Sequence, residues 1–344
     1  MVNGKSKYRK PIASLSLDLD NQWSYMKIHG DPGWETFPSY LDLVIPRVLD
    51  FLAQRQLTIT FFIVGQDAAL AKNQAAIRSI ATAGHEIGNH SFHHESWLHL
   101  YAEADIEQEI RQAEEQIYQV TGQRPIGFRG PGYSFSAAVL RVLAQRGYYY
   151  DASTFPTFLG PIARAYYFMT SNLSRAERQK RKALFGSFQD GFQPLKPYRW
   201  SLGERIHQGS EPQLVEIPVT TLPIFKVPIH FSYVLYLSVF SPALALLYFR
   251  LALWLCRLTC TQPSLLLHPL DFLGREDVPQ LAFFPGMSLL SDQKLVILGE
   301  AIDLLCRQFA VVPVGQHART VAETKRLPLL KPRPRLTPEV TWRS

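Results

Sequence analysis

Cysteine is scarce in this 344-residue chain: Cys256, Cys260 and Cys306 are an odd number without metal-type spacing. That argues against a disulfide framework and for a reducing compartment. Also missing is an apolar stretch behind the N-terminus. Met1-Val-Asn-Gly-Lys-Ser-Lys-Tyr-Arg-Lys is polar and basic and leads directly into the first strand, so no secretory signal is expected and the expected location is cytoplasmic. There is no repeat of solenoid length. No zinc finger, RRM signature or basic-aromatic repeat occurs, so nucleic acid is not an expected partner. What is ample is hydrophobic content, 47%, enough for a full core in one large domain or two small ones.

The charge that is present is uneven. Within a net +7, nine Lys/Arg between Arg164 and Arg205 face three acids, Glu177, Asp190 and Glu204, a surplus of six. From Arg319 onward seven face two. Such patches suit phosphorylated substrates or anionic lipid as well as nucleic acid. Phe231 to Phe249 is a run of nineteen residues without a charge, near bilayer-spanning length. Ser241-Pro242 inside it reads as an N-cap and first helical residue, which predicts a helix from Pro242 to about Leu258, apolar nearly all round. A span is not expected. Two readings stand: a core helix, or a helix in peripheral contact with the inner face of a membrane. The second predicts an exposed apolar patch around Phe231–Leu255 on the face of the site mouth. Arg250 and Arg257 would snorkel to headgroups, and Arg175, Arg178, Lys180, Arg181 and Lys182 would meet anionic lipid.

Alternation in Ile12–Asp18 predicts a strand with one buried face, and places Asp18 and Asp20 on the same side of an extended chain. Trp23 to Phe37 reads as a long aromatic loop, whose Trp23, Tyr25 and His29 either meet a sugar ring or simply order the surface. Helices are predicted over 38–55, 66–83, 105–120, 136–147 and 289–308. Strands are predicted over 58–65, 86–88, 148–153, 214–219, 263–268 and 309–314. Alternating strands and helices indicate a parallel α/β fold, and polar residues collected at strand ends fit a barrel. The expected organisation is one domain over 1–325, with a basic insertion at about 156–213 carrying a helix near 174–185, and an apolar helical segment at 227–258. Repeated prolines and basic residues over 326–344 predict a disordered tail.

The chemistry gathers in four stretches. Ser16-Leu-Asp18-Leu-Asp20-Asn21 ends an apolar run in two carboxylates. Gly84-His-Glu-Ile-Gly-Asn-His90-Ser-Phe-His-His94 contains a histidine pair at i, i+4, whose imidazoles point the same way on one turn of helix. Arg129-Gly-Pro-Gly-Tyr133 and Leu265-Leu-Leu-His268 follow. A lone histidine cluster is usually a solvated loop. Here two imidazoles and one carboxylate leave room for a water, as in a hydrolytic zinc site.

These stretches, in this order, resemble the polysaccharide deacetylase family (carbohydrate esterase family 4, the NodB-homology domain). The resemblance covers Ile12 to about Gly160 and resumes from Leu214 to Val314. It implies a distorted, incomplete (β/α) barrel and a metal-dependent hydrolase that removes an N-acyl group, most often acetyl, from an amino sugar. By that resemblance Asp20, His90 and His94 hold Zn²⁺ or another divalent transition metal, and Asp18 is the base. Arg129 holds Asp18, the Tyr133 backbone N–H meets the oxyanion, His268 is the acid for the departing amine, and Asp151 orients His268. The sequence departs from the family where Leu19 separates the two aspartates and where no tryptophan follows Asp151; Asp271 is an alternative partner for His268. The missing signal, basic insertion and apolar helix suggest a lipid- or phosphate-linked amino sugar, a glycolipid, as substrate. Deformylation, cyclic-amide opening and plain glycan or glycolipid binding are the competing activities.

Overall fold

The computed structural model describes residues 10–162, 165, 169, 188–203, 214–324 and 326–332. Its strands are β1 (Ile12–Asp18), β2 (Thr60–Ile63), β3 (Glu86–Asn89), β4 (Gly127–Phe128), β5 (Tyr150–Asp151), β6 (Tyr198–Trp200), β7 (Val215–Glu216), β8 (Ser264–Leu267), β9 (Ala310–Val312) and β10 (Leu329–Leu330). They form one sheet in the order β10-β6-β7-β5-β4-β3-β2-β1-β8, with β9 beside the first half of β1. Every pairing is parallel except β6 with β7. No ladder joins the two outer strands. Instead the segment after β7 reaches β8 at one point, where Thr220 N–H donates to Ser264 O and Ser264 N–H to Thr220 Oγ1, both at 2.8 Å. The distorted, incomplete (β/α) barrel is thus what the chain forms.

The main helices are α1 (Gln22–His29), α2 (Leu41–Ala53), α3 (Gly65–Ala69), α4 (Ala71–Thr82), α5 (Glu103–Thr121), α6 (Ala137–Gln145), α7 (Phe231–Ser238), α8 (Pro242–Leu258), α9 (Ser291–Gln308) and α10 (Val314–Thr324). β1 shows how the layers arise. Ala13, Leu15 and Leu17 join the large core with residues of α2, α8 and α9, while Ser14, Ser16 and Asp18 alternate onto the other face. There Ser14 Oγ meets His317 Nδ1 of α10 at 2.9 Å, and Ser16 and Asp18 meet Arg129. β1 therefore buries apolar side chains outward and polar ones inward, where Phe62 of β2 lies under Arg129.

Three expectations need correction. Residues 23–37 are not a loop throughout: Asn21 caps Gln22 N–H with its side chain, and Gly30 ends α1 at φ 87°, a left-handed value that favours glycine. The region 66–83 is two helices, α3 and α4, separated by an extended Leu70. The tail does not begin at 326. Arg199 N–H donates to Pro328 O and Ser201 N–H to Leu330 O, so β10 covers the open edge of β6. The helix expected near 174–185, the cluster Arg175–Lys182 and residues 333–344 lie outside the described residues. The helix from Pro242 forms with Ser241 as its cap. Among the described residues no helix is long and apolar enough to cross a membrane.

Candidate metal centre and catalytic cleft

Asp18 closes β1, and Asp20 follows in the turn toward α1. His90 and His94 do not share a helical turn. His90 leaves β3 directly, and the loop bends through Ser91 (φ 61°) and His94 (φ 54°). Local hydrogen bonds hold this strained path. Asn89 Oδ1 accepts Ser91 N–H at 2.8 Å, and Glu109 of α5 accepts the N–H groups of Phe92 and His93. The His93 imidazole also pairs with Glu109, which takes it away from the other two rings. The loop, not a helix, turns His90 and His94 toward Asp20.

The result is a compact group. His94 Nε2 lies 2.9 Å and His90 Nε2 3.3 Å from Asp20 Oδ1, and the three side chains' ligand atoms all fall within 4.8 Å of one another. His90 Nδ1 sits 2.6 Å from Arg129 O, so its N–H donates there and its Nε2 is left for a ligand. Burial alone would push the Asp20 carboxyl up. The charge of His94, with hydrogen bonds from both imidazoles, overrides that and holds it well below the usual carboxylate range. Burial likewise opposes charge on His90, but the Asp20 hydrogen bond and the Asp18 and Asp20 charges raise it. Two imidazoles and one ionised carboxylate, oriented and almost dry, fit a divalent metal ion.

Asp18 stands apart from that set. Its Oδ1 receives Arg129 Nη1 at 2.6 Å, and Arg129 also donates to Ser16 Oγ (2.7 Å) and Ala152 O (3.0 Å). The guanidinium is 1% exposed and lies over the Phe62 ring at 4.4 Å. Buried charge of this kind needs its partner, because an unpaired carboxylate or guanidinium here costs several kcal/mol. Gly130, next to it, has no room for a side chain: a Cβ would stand 1.9 Å from Ser134 O.

His268 follows β8 and lines the same cleft as Asp18, Asp20, His90 and His94. Its partners are Ser232 and the alternative, Asp271, not Asp151. Nδ1 is 3.0 Å from Ser232 Oγ, at the start of α7, and the His268 backbone N–H donates to Asp271 Oδ2 at 2.8 Å. The Ser232 hydroxyl also bonds the Asp271 carboxyl, which burial raises while His268 and these hydrogen bonds pull it down. Asp151 is elsewhere. It accepts Ser153 Oγ at 2.6 Å and shares a proton with Glu216, and Ser153 Oγ in turn accepts Gly130 N–H at 2.8 Å. Burial first, then the Asp151 charge, pushes Glu216 well above the usual carboxylate range, so Glu216 carries the proton. Asp151 thus supports the Arg129–Gly130 turn, and no hydrogen bond joins it to His268.

Tyr133 also differs from expectation. Residues 131–133 form a tight helical turn in which Tyr133 N–H donates to Gly130 O at 2.9 Å, so that N–H is already used within the turn. The Tyr133 side chain instead lines the cleft, its ring 4.5 Å from Phe155. Trp23 is buried and donates to Asp67 Oδ1 at 3.0 Å, out of reach of a ligand. Tyr25 and His29 do line the cleft, with His29 stacked on Phe283 at 3.6 Å. Sequence reasoning missed Ser232, Tyr236, His230 and the Phe283–Phe284 pair. Nothing in the sequence pattern separated Ser232 from other serines, because the helix it opens, α7, was not predicted as an element of its own.

With the geometry in place, comparison with known proteins is direct. Residues 31–150 match the family described as polysaccharide deacetylase. Over 105 residues the chain is 36% identical to a peptidoglycan-N-acetylmuramic acid deacetylase of Bacillus subtilis, covering 30% of this chain and 38% of that protein. Over 149 residues it is 31% identical to a peptidoglycan deacetylase of Helicobacter pylori, covering 41% and 49%. A chitin deacetylase of Colletotrichum lindemuthianum is 31% identical over 107 residues, covering 30% and 43%. The matched stretch is less than half the length of each of these relatives. The crystal structure of a candidate polysaccharide deacetylase from Mycobacterium smegmatis superposes with a TM-score of 0.58 at 22% identity, over 95% of this chain and all of that one, which shows a common fold. These matches make residues 31–150 similar to the polysaccharide deacetylase family, and the superposition gives the chain the same fold as a solved structure of that description. The matched residues 31–150 include His90, His94, Arg129 and Tyr133; Asp18, Asp20 and His268 lie outside them and join the group only through the fold.

Proposed function

We propose that this chain is a metal-dependent hydrolase that removes an N-acyl group, acetyl first among them, from an amino sugar. The observation that carries this reading is the division of labour between neighbouring groups. Asp20, His90 and His94 converge as a ligand set, Asp18 lies beside them but tied to Arg129, and His268 faces the same cleft. A divalent ion of the zinc type, held by Asp20, His90 and His94, would supply Lewis acidity and a more acidic bound water. Asp18 then accepts a proton from the attacking water, with Arg129 fixing its oxygen. His268 gives a proton to the departing amine, held in place by Ser232 and Asp271. The cleft, with a cavity volume of roughly 300 Å³ and open to solvent, is walled by Tyr25, Tyr133, Tyr233, Tyr236, Phe283 and Phe284. Such aromatic faces suit the apolar side of a sugar ring.

The test is a panel of N-acetyl and N-formyl amino sugars, their oligomers and glycolipids, read by released acetate or formate together with bound metal. Asp18→Asn is expected to keep a full metal equivalent while turnover falls roughly 10²–10⁴-fold. Asp20→Asn and His90→Ala are expected to lose metal and activity together. Metal lost with Asp18→Asn but kept with Asp20→Asn would exchange the two roles. Sugar binding without any acyl release would make the chain a glycan-binding relative.

A further inference from the structure

The second conspicuous feature lies on α8. Its inner face, Ala245, Phe249, Ala252, Leu253 and Cys256, is fully buried in the core. Its outer face is apolar as well: Leu244, Leu247, Leu251, Trp254 and Leu258 are 48–66% exposed, and Phe240, in the turn before the helix, is 89% exposed. Spacing of three and four residues lines these side chains along one ridge. The only charged residues of α8, Arg250 and Arg257, are both exposed on it. From Ile217 to Leu270 the sequence holds no Asp or Glu at all. On α9, packed against α8, the exposed Glu300 and Asp303 are present, with Asp303 3.5 Å from Arg55. The cationic, acid-free character therefore belongs to the α8 ridge itself.

We propose that this ridge docks on the surface of an anionic lipid bilayer, lying in the plane of the interface. Leucines and Trp254 would enter the boundary between headgroups and acyl chains, where an amphipathic ring is favoured, and the two guanidiniums would meet lipid phosphates. Shape and area favour this occupant over a second copy. Seventeen helical residues make a ridge about 25 Å long and one helix, about 10 Å, wide. That is well under the roughly 800 Å² per partner of a stable protein interface. The ridge also connects with the cleft. α7 sends Tyr233 and Tyr236 into the cleft lining, and Leu237, the next residue, is exposed toward the turn that carries Phe240. Docking is independent of the chemistry proposed above.

Flotation of the full chain with phosphatidylcholine vesicles, with and without phosphatidylglycerol, tests the proposal. Binding is expected to the anionic vesicles and to weaken with salt. Arg250→Gln and Arg257→Gln are each expected to lower the partition coefficient about fivefold. Leu251→Glu with Trp254→Glu should lower it by more than tenfold, with circular dichroism unchanged because both side chains are exposed. Asp18→Asn should float like the parent chain, which separates failure of docking from failure of the hydrolase reading. Absence of flotation at low salt overturns the proposal. So does flotation indifferent to the α8 substitutions, or a concentration-dependent dimer in sedimentation that Leu251→Glu dissolves while vesicles stay unbound.

Discussion

At the scale of single residues, the site separates groups that converge on one point from groups that hold those groups in place. Ser232 belongs to the second kind. Its hydroxyl bridges His268 Nδ1, 3.0 Å away, and the Asp271 carboxyl, and so sets the direction of the imidazole. Ser232→Ala is expected to lower kcat about fivefold, the worth of one hydrogen bond of roughly 1 kcal/mol, with KM unchanged. Ser232→Thr is expected to restore most of the loss. A steady-state comparison of the three proteins checks this, and an equal loss in kcat for Thr and Ala would show that Ser232 is only packing. Asp151 teaches the opposite lesson: a carboxylate expected at His268 is held by Ser153 and Glu216 beneath the Arg129 turn.

At the scale of elements, the histidine loop and the sheet edge show how contacts made far along the chain decide local form. The His90–His94 loop takes two left-handed residues because Glu109, on α5, claims its backbone N–H groups. The pair therefore converges without the helix its spacing suggests. The edge of β6 is closed by β10, through two hydrogen bonds of 2.9 and 2.8 Å and the packing of Leu327, which is 9% exposed. Deleting residues 326–344 is expected to cost about 2 kcal/mol from the lost hydrogen bonds and apolar burial. That corresponds to a fall in melting temperature of roughly 3 °C. A thermal melt of the truncated chain decides it; an unchanged midpoint would mean the edge pairing contributes nothing.

At the scale of the whole molecule, polar and charged groups gathered inside the barrel make stability depend on pH. His230 is buried beside His268, with its Nδ1 unpartnered. Burial above all, then the charges of His268 and Arg129, holds it well below its ordinary value of 6.5. Below that pH the unfolded chain takes up a proton that the folded chain refuses. Stability is therefore full above 6.5 and is lost as pH falls toward the depressed folded value, by up to about 1.4 kcal/mol per pH unit. His230→Phe, in a setting already lined by Phe155 and Tyr233, should remove this part of the slope. Urea unfolding of both proteins between pH 7.5 and 5 measures the difference, and identical slopes would sink the assignment.

What the sequence determined by itself were the features carried by short-range patterns. Alternation in β1 sets Asp18 on the polar face with Ser14 and Ser16, and Ser241-Pro242 starts α8 where capping chemistry demands. The order of the four motifs pointed to the resemblance, and with it to Asp20, His90 and His94, which the fold brings within 4.8 Å of one another. What only the tertiary structure decided were the partners. A side chain's hydrogen-bond partner is whatever the fold brings within 3 Å, and β8, α7 and β5 are far apart in sequence. So Ser232 and not Asp151 meets His268, Tyr133 N–H turns back to Gly130, and Trp23 is buried against Asp67. The same holds for α8: its composition is apolar all round, and only packing selects which face is covered and which five large side chains remain in solvent.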